Sequence, residues 1–110
     1  MELNEYQKKA LETATHGEKY KIIYPALGLG NEAGEVLGKI KKWIRGDDGE
    51  GEMSPERKSA IKDELGDVLW YIAVLADDLG LDLDAIARGN VEKLKSRKER
   101  GAIKGDGDTR

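Results

Sequence analysis

Two long stretches of this chain place apolar residues at alternating steps of four and three. In the first these are Leu29, Ala33, Val36, Ile40 and Trp43; in the second, Ile61, Leu65, Val68, Ile72, Leu75 and Leu79. Such steps keep residues on one side of a helix, so both stretches read as helices packed along an apolar seam. Strand signals are nearly absent: the 110 residues include no phenylalanine, and no tight-turn dipeptide sits between alternating runs. The spacing predicts an all-α fold, a helical bundle of about four helices per chain.

Punctuation residues set the boundaries. A first helix fits Leu3 to Thr15, stopped by His16-Gly17, and residues Gly17 to Tyr24 form a connection. The second helix runs from about Pro25 to Arg45, followed by the acidic loop Gly46-Asp47-Asp48-Gly49-Glu50-Gly51. Ser54-Pro55 opens the third, a hydroxyl cap followed by proline at the first helical position, and Gly80 closes it. Asp82 caps a fourth helix carrying Leu83, Ile86, Val91 and Leu94. Residues 1–100 read as a single domain and 101–110 as a flexible C-terminal tail. Between Val68 and Ala76 the third helix is apolar on every face, Trp70, Ala73 and Val74 included. A helix of that kind must be covered all round, and so small a chain has few other helices to do it. A homo-oligomer, dimer or tetramer, is therefore expected to complete the bundle.

Composition narrows the functions. Charged residues make up 37% of the chain and hydrophobic ones 38%, with a net charge of -3, so the chain is foldable and is not a basic nucleic-acid binder. Zero cysteines exclude a disulfide scaffold, and a single histidine excludes any site needing two imidazoles from one chain. The opening residues lack the pattern of a secretory signal, and no apolar run is long enough to span a bilayer. A cytoplasmic protein without membrane contact is the expectation.

The chemistry concentrates in a repeated pattern. Glu32-Ala33-Gly34-Glu35-Val36-Leu37 and Glu64-Leu65-Gly66-Asp67-Val68-Leu69 share the form Glu-x-Gly-acid-Val-Leu, once in each seam helix. Acids three apart lie on one helical face, where like charges cost about 0.2–0.5 kcal/mol per pair. Glycine in a helix interior costs about 0.8–1.0 kcal/mol relative to alanine. A lone pair of this kind is ordinarily a solvated face; two copies, each bracketing a glycine beside a core seam, call for compensation. Glycine permits close helix approach, and a divalent cation turns repelling carboxylates into ligands. If the two helices pack antiparallel, Glu32, Glu35, Glu64 and Asp67 converge. An all-oxygen set suits Mg²⁺, or Mn²⁺, over zinc or copper, and neither motif offers the histidine that a di-iron bundle site uses.

At these residues the sequence resembles the MazG-like family of all-α nucleoside triphosphate pyrophosphohydrolases. The family's Glu-x-x-Glu, spacer, Glu-x-x-Asp signature is matched by Glu32, Glu35, Glu64 and Asp67. Leu27-Gly28-Leu29 before the first motif and Asp63 to Tyr71 around the second are similar to the family as well. So is Asn90-Val91-Glu92-Lys93-Leu94 with Arg97, which resembles the family's downstream phosphate-contacting segment. The likeness spans roughly Pro25 to Arg97. It implies a Mg²⁺-dependent hydrolase that splits nucleoside triphosphates into monophosphate and pyrophosphate, with those four acids as metal ligands. A carboxylate not fully engaged as a ligand would accept the proton of the attacking water, and Glu32 and Glu35 are the candidates. Some relatives carry an additional glutamate just ahead of the first motif; Asn31 stands there in this chain. The resemblance also implies phosphate contacts for Asn90, Lys93 and Arg97. Lys39, four residues after Glu35, is set either to pair with that glutamate or to touch phosphate. Tyr71, four after Asp67, falls on the acidic face, where it could flank a base or sugar. Two other functions fit the same residues: hydrolysis of a signalling nucleotide, and a non-catalytic helical oligomer that binds metal or a partner protein.

Overall fold

The computed structural model describes all 110 residues and is all-α. Its four helices are α1 (Leu3–Leu11), α2 (Ile23–Ile44), α3 (Pro55–Asp78) and α4 (Leu83–Glu99), with a short 3-10 turn at Glu18–Tyr20. Caps foreseen from the sequence are present. Ser54 accepts a hydrogen bond from the Arg57 N–H at 3.1 Å, and Asp82 accepts one from the Ala85 N–H at 2.8 Å. The first helix ends earlier than its apolar spacing suggests, at Leu11, because the Thr13 hydroxyl and the Thr13 N–H both turn onto the Ala10 carbonyl. No helix is long and apolar enough to cross a membrane.

Helices α2 and α3 form an antiparallel hairpin, the largest packing unit in the chain. Its register is fixed by opposed pairs. Gly28 faces Tyr71 and Glu32 faces Asp67, each pair stepping equally far from the intervening loop. That loop is held by charge: Asp48 receives the Arg57 guanidinium at 2.8 Å and the Ser54 N–H at 3.4 Å. At the other end, α1 packs on α3 and α4 around a core of Ala10, Ala73, Ala76 and Leu83, flanked by Tyr6, Trp70 and Ile72. Gln7 is buried there and fully used. It donates to the Ala73 and Leu81 carbonyls and accepts from the Leu83 N–H. Trp70 donates its indole N–H to the Ala10 carbonyl and the Thr13 hydroxyl, tying α3 to the end of α1.

A second strap crosses the end of α3. The Asp78 carboxylate accepts from His16 Nε2 at 2.9 Å and from the Ile22 N–H at 2.8 Å. Ile22 sits at φ +69°, a left-handed conformation that a β-branched residue adopts only under constraint. Asp78 supplies that constraint, and α2 begins immediately afterwards.

Candidate functional site

The hairpin register carries three acids to one place. Glu32 from α2 and Glu64 and Asp67 from α3 each present a carboxylate oxygen, and these oxygens lie within 4.8 Å of one another. Glu32 and Glu64 are half-buried and Asp67 is exposed. Three carboxylates this close repel, and the protonation of Glu32 reflects it. Burial raises its pKa first, then the close approach of the Glu64 carboxyl, then the charges of Asp67, Glu64 and Glu35. With hard oxygen donors converging from two helices, the cluster could hold a divalent metal ion.

Glu35 lies on the same helix face as Glu32 but outside that close set, with its side chain exposed. Lys39 does not pair with Glu35. Its ammonium reaches across the hairpin to Glu64 Oε1 at 3.8 Å, so it stands beside the cluster. Tyr71 lies against Gly28, edge-on to Trp70 with ring centroids 4.9 Å apart, and tilted against Tyr24 at 6.3 Å. Its phenol is raised above the ordinary value by burial, then by Tyr24 and the carboxylates of Glu32 and Asp67, which places the ring at the rim of the acidic cluster.

Two tyrosines beside the site were not singled out by sequence. Tyr6, from α1, is raised by burial and by the charge of Asp67. Tyr24 stacks on the His16 ring at 5.4 Å and lies tilted against Tyr71 at 6.3 Å. Nothing local in the sequence distinguishes Tyr6 from a packing residue of the first helix. The motif glycines also differ from expectation. A methyl group at Gly34 or Gly66 would meet nothing within 4 Å, so neither serves close approach within the chain; Gly28 does.

Asn90, Lys93 and Arg97 lie on α4, which packs chiefly on α1, and no hydrogen bond or ion pair joins them to the acidic cluster. Asn90 is exposed. Lys93 and Arg97 instead engage the C-terminal segment, where both contact Asp108.

The fold and site define an all-α domain whose antiparallel hairpin opposes acids that could hold a divalent cation. Residues 25–101 match the family described as the MazG nucleotide pyrophosphohydrolase domain, well over half of the chain. Gene 37 protein of Mycobacterium phage L5 is 40% identical over a 116-position alignment covering all of both chains. The uncharacterized protein YvdC of Bacillus subtilis (strain 168) is 35% identical over 74 residues, 64% of this chain and 70% of that protein. No solved structure matches the chain. The chain belongs to the MazG nucleotide pyrophosphohydrolase family. It is accordingly an enzyme that acts on nucleotides and hydrolyses a phosphoric anhydride bond.

Proposed function

We propose that this chain hydrolyses nucleoside triphosphates to monophosphate and pyrophosphate, using Mg²⁺ or Mn²⁺ at the acidic cluster. The observation that carries the reading is the convergence of Glu32, Glu64 and Asp67 inside the segment that matches the family. Glu32, Glu64 and Asp67 would hold a divalent cation, which would supply charge neutralisation for phosphoryl oxygens and a polarised water. Glu35, outside the close set, would accept the water's proton or complete the ligand sphere. Lys39 balances Glu64, and Tyr71 with Tyr24 walls the side on which a nucleoside rests. The test is a nucleotide panel with Mg²⁺ in which pyrophosphate and orthophosphate are read separately. Pyrophosphate release supports the reading, and orthophosphate release alone overturns it.

We further propose that the working form is a homo-oligomer of a domain spanning residues 1–100. The chain exposes 8069 Å², against about 6,000 Å² for a compact monomer of this length. Its radius of gyration is 17.1 Å, where about 13 Å is typical. The excess is apolar in part: Leu27, Leu37 and Ile44 on α2 are each at least 70% exposed, as Leu65 and Val91 are by more than half. The total excess of about 2,000 Å² exceeds the roughly 800 Å² per partner of a standard interface. Sedimentation at micromolar concentration is expected to give a multiple of the chain mass, and a monomer would contradict this.

A further inference from the structure

A single carboxylate clamps the start of α2 from two sides. Asp78, the last residue of α3, uses Oδ2 to accept from the Ile22 N–H at 2.8 Å and from His16 Nε2 at 2.9 Å. The first bond holds the backbone two residues ahead of Tyr24, at the left-handed Ile22. The second holds the ring that covers Tyr24: the His16 and Tyr24 planes are 9° apart, with centroids at 5.4 Å. The His16 and Asp78 side chains are only 9% and 7% exposed, so water competes little for their bond. His16 Nδ1 is buried as well and has no hydrogen-bond partner. An unpaired buried polar atom is destabilising, so hydrogen bonding alone does not account for the ring. What the ring adds is a flat surface, oriented by Asp78, against Tyr24.

Tyr24 leads back to the acidic cluster. Tyr24, Gly28 and Glu32 follow one another at steps of four along α2, while Asp67, Tyr71 and Asp78 share one face of α3. The Tyr71 ring lies in the room that Gly28 leaves, its centroid 6.3 Å from that of Tyr24. The clamp is thus a further rung of the register that sets Glu32 against Asp67. Tyr24 remains 47% exposed, covered by His16 yet open elsewhere. An aromatic ring backed in this way is preorganised for a flat partner.

We propose that His16 and Asp78 are positioning residues for the nucleoside half of the substrate: Asp78 orients His16, His16 holds the Tyr24 ring, and Tyr24 with Tyr71 receives the base. The pair sets affinity for a nucleotide over a bare polyphosphate and has no part in the chemical step. This deepens the hydrolase reading and, for its role in turnover, rests on it.

The test compares nucleotides with inorganic tripolyphosphate, which has the phosphates and no base. Calorimetry on the full chain with Mg²⁺ gives Kd for tripolyphosphate and for the α,β-methylene analogues of dATP, dCTP, dGTP and dTTP, whose bridge resists hydrolysis. His16→Gln keeps a donor for Asp78 and removes the ring. It should weaken the tightest analogue about two- to tenfold, the range an aromatic pair contributes, and leave tripolyphosphate unchanged. In a Tyr24→Leu background, His16→Gln should weaken the analogue no further, because it acts through Tyr24. Asp78→Ala, which frees both the ring and the Ile22 N–H, should weaken the analogue at least as far. With the parent nucleotide, His16→Gln should raise KM by the same factor at constant kcat. An unchanged analogue affinity in His16→Gln, an equal loss for tripolyphosphate, or an undiminished effect in Tyr24→Leu would each overturn the proposal. The expected affinities without pyrophosphate release by wild type would instead overturn the hydrolase reading and leave the nucleoside site standing.

Discussion

Replacing Gly28 with alanine tests whether the hairpin packs as described. A methyl group at Gly28 would fall within 3.0 Å of three carbons of the Tyr71 ring, closer than real side chains approach. Two effects oppose. Alanine in a helix interior gains about 0.8–1.0 kcal/mol over glycine. Overpacking a filled contact costs about 1–3 kcal/mol. The expected result is a net loss of up to about 2 kcal/mol. Gly30, two residues on and in open space, is the control, because its substitution should give the full helix gain with no clash. The two variants should therefore differ by about 1–3 kcal/mol, readable as separated urea midpoints at equal slope. A double-mutant cycle makes the cause specific: in a Tyr71→Leu background, Gly28→Ala should lose most of its penalty. Equal midpoints for Gly28→Ala and Gly30→Ala would refute the register that opposes Gly28 to Tyr71, and with it the alignment of Glu32 with Asp67.

Other consequences concern the acids. Glu64→Gln keeps shape and removes a ligand charge. Turnover should fall by more than the roughly 10–100-fold that follows loss of an outer-shell partner. In thermal melts, wild type at 100 times the metal Kd should gain about 2.7 kcal/mol, and Glu64→Gln should lose most of that gain while its metal-free stability stays level or rises. The raised pKa of Glu32 sets a pH dependence in metal-free protein. The folded state holds the Glu32 proton more tightly than the unfolded state, whose carboxyl keeps its ordinary value near 4.5. Stability should therefore decline as pH rises from that value through the higher folded one, relative to Glu32→Gln, and saturating Mg²⁺ should remove the difference. A wild type and Glu32→Gln with parallel pH profiles would show that the carboxylates do not crowd.

Much of the fold and of the site was legible because it rests on local rules. Seam spacing identified the hairpin helices, and the caps at Ser54 and Asp82 need only a side chain and the backbone three residues away. The acids Glu32, Glu64 and Asp67 were legible because an antiparallel hairpin brings equidistant positions together. What escaped depends on long-range contacts. The strained Ile22 is held by Asp78, 56 residues away, and no pattern near Gly17 to Tyr24 announces it. Lys39 is four residues from Glu35 and twenty-five from Glu64 along the chain, yet packing across the hairpin delivers it to Glu64. The tail offers Asp108 to Lys93 and Arg97 through a reversal at Gly101 and Gly107, both at positive φ, which composition alone reads as loose chain.

The proposed metal dependence of this pyrophosphohydrolase rests on the acidic cluster of Glu32, Glu64 and Asp67. Its most direct test is pyrophosphate release from a panel of nucleoside triphosphates, by wild type and by Asp67→Asn, with Mg²⁺ and with chelator. Wild type with Mg²⁺ should release equimolar monophosphate and pyrophosphate, and the variant, or wild type with chelator, should stay near baseline. Undiminished pyrophosphate release by Asp67→Asn, or by wild type in chelator, would contradict it.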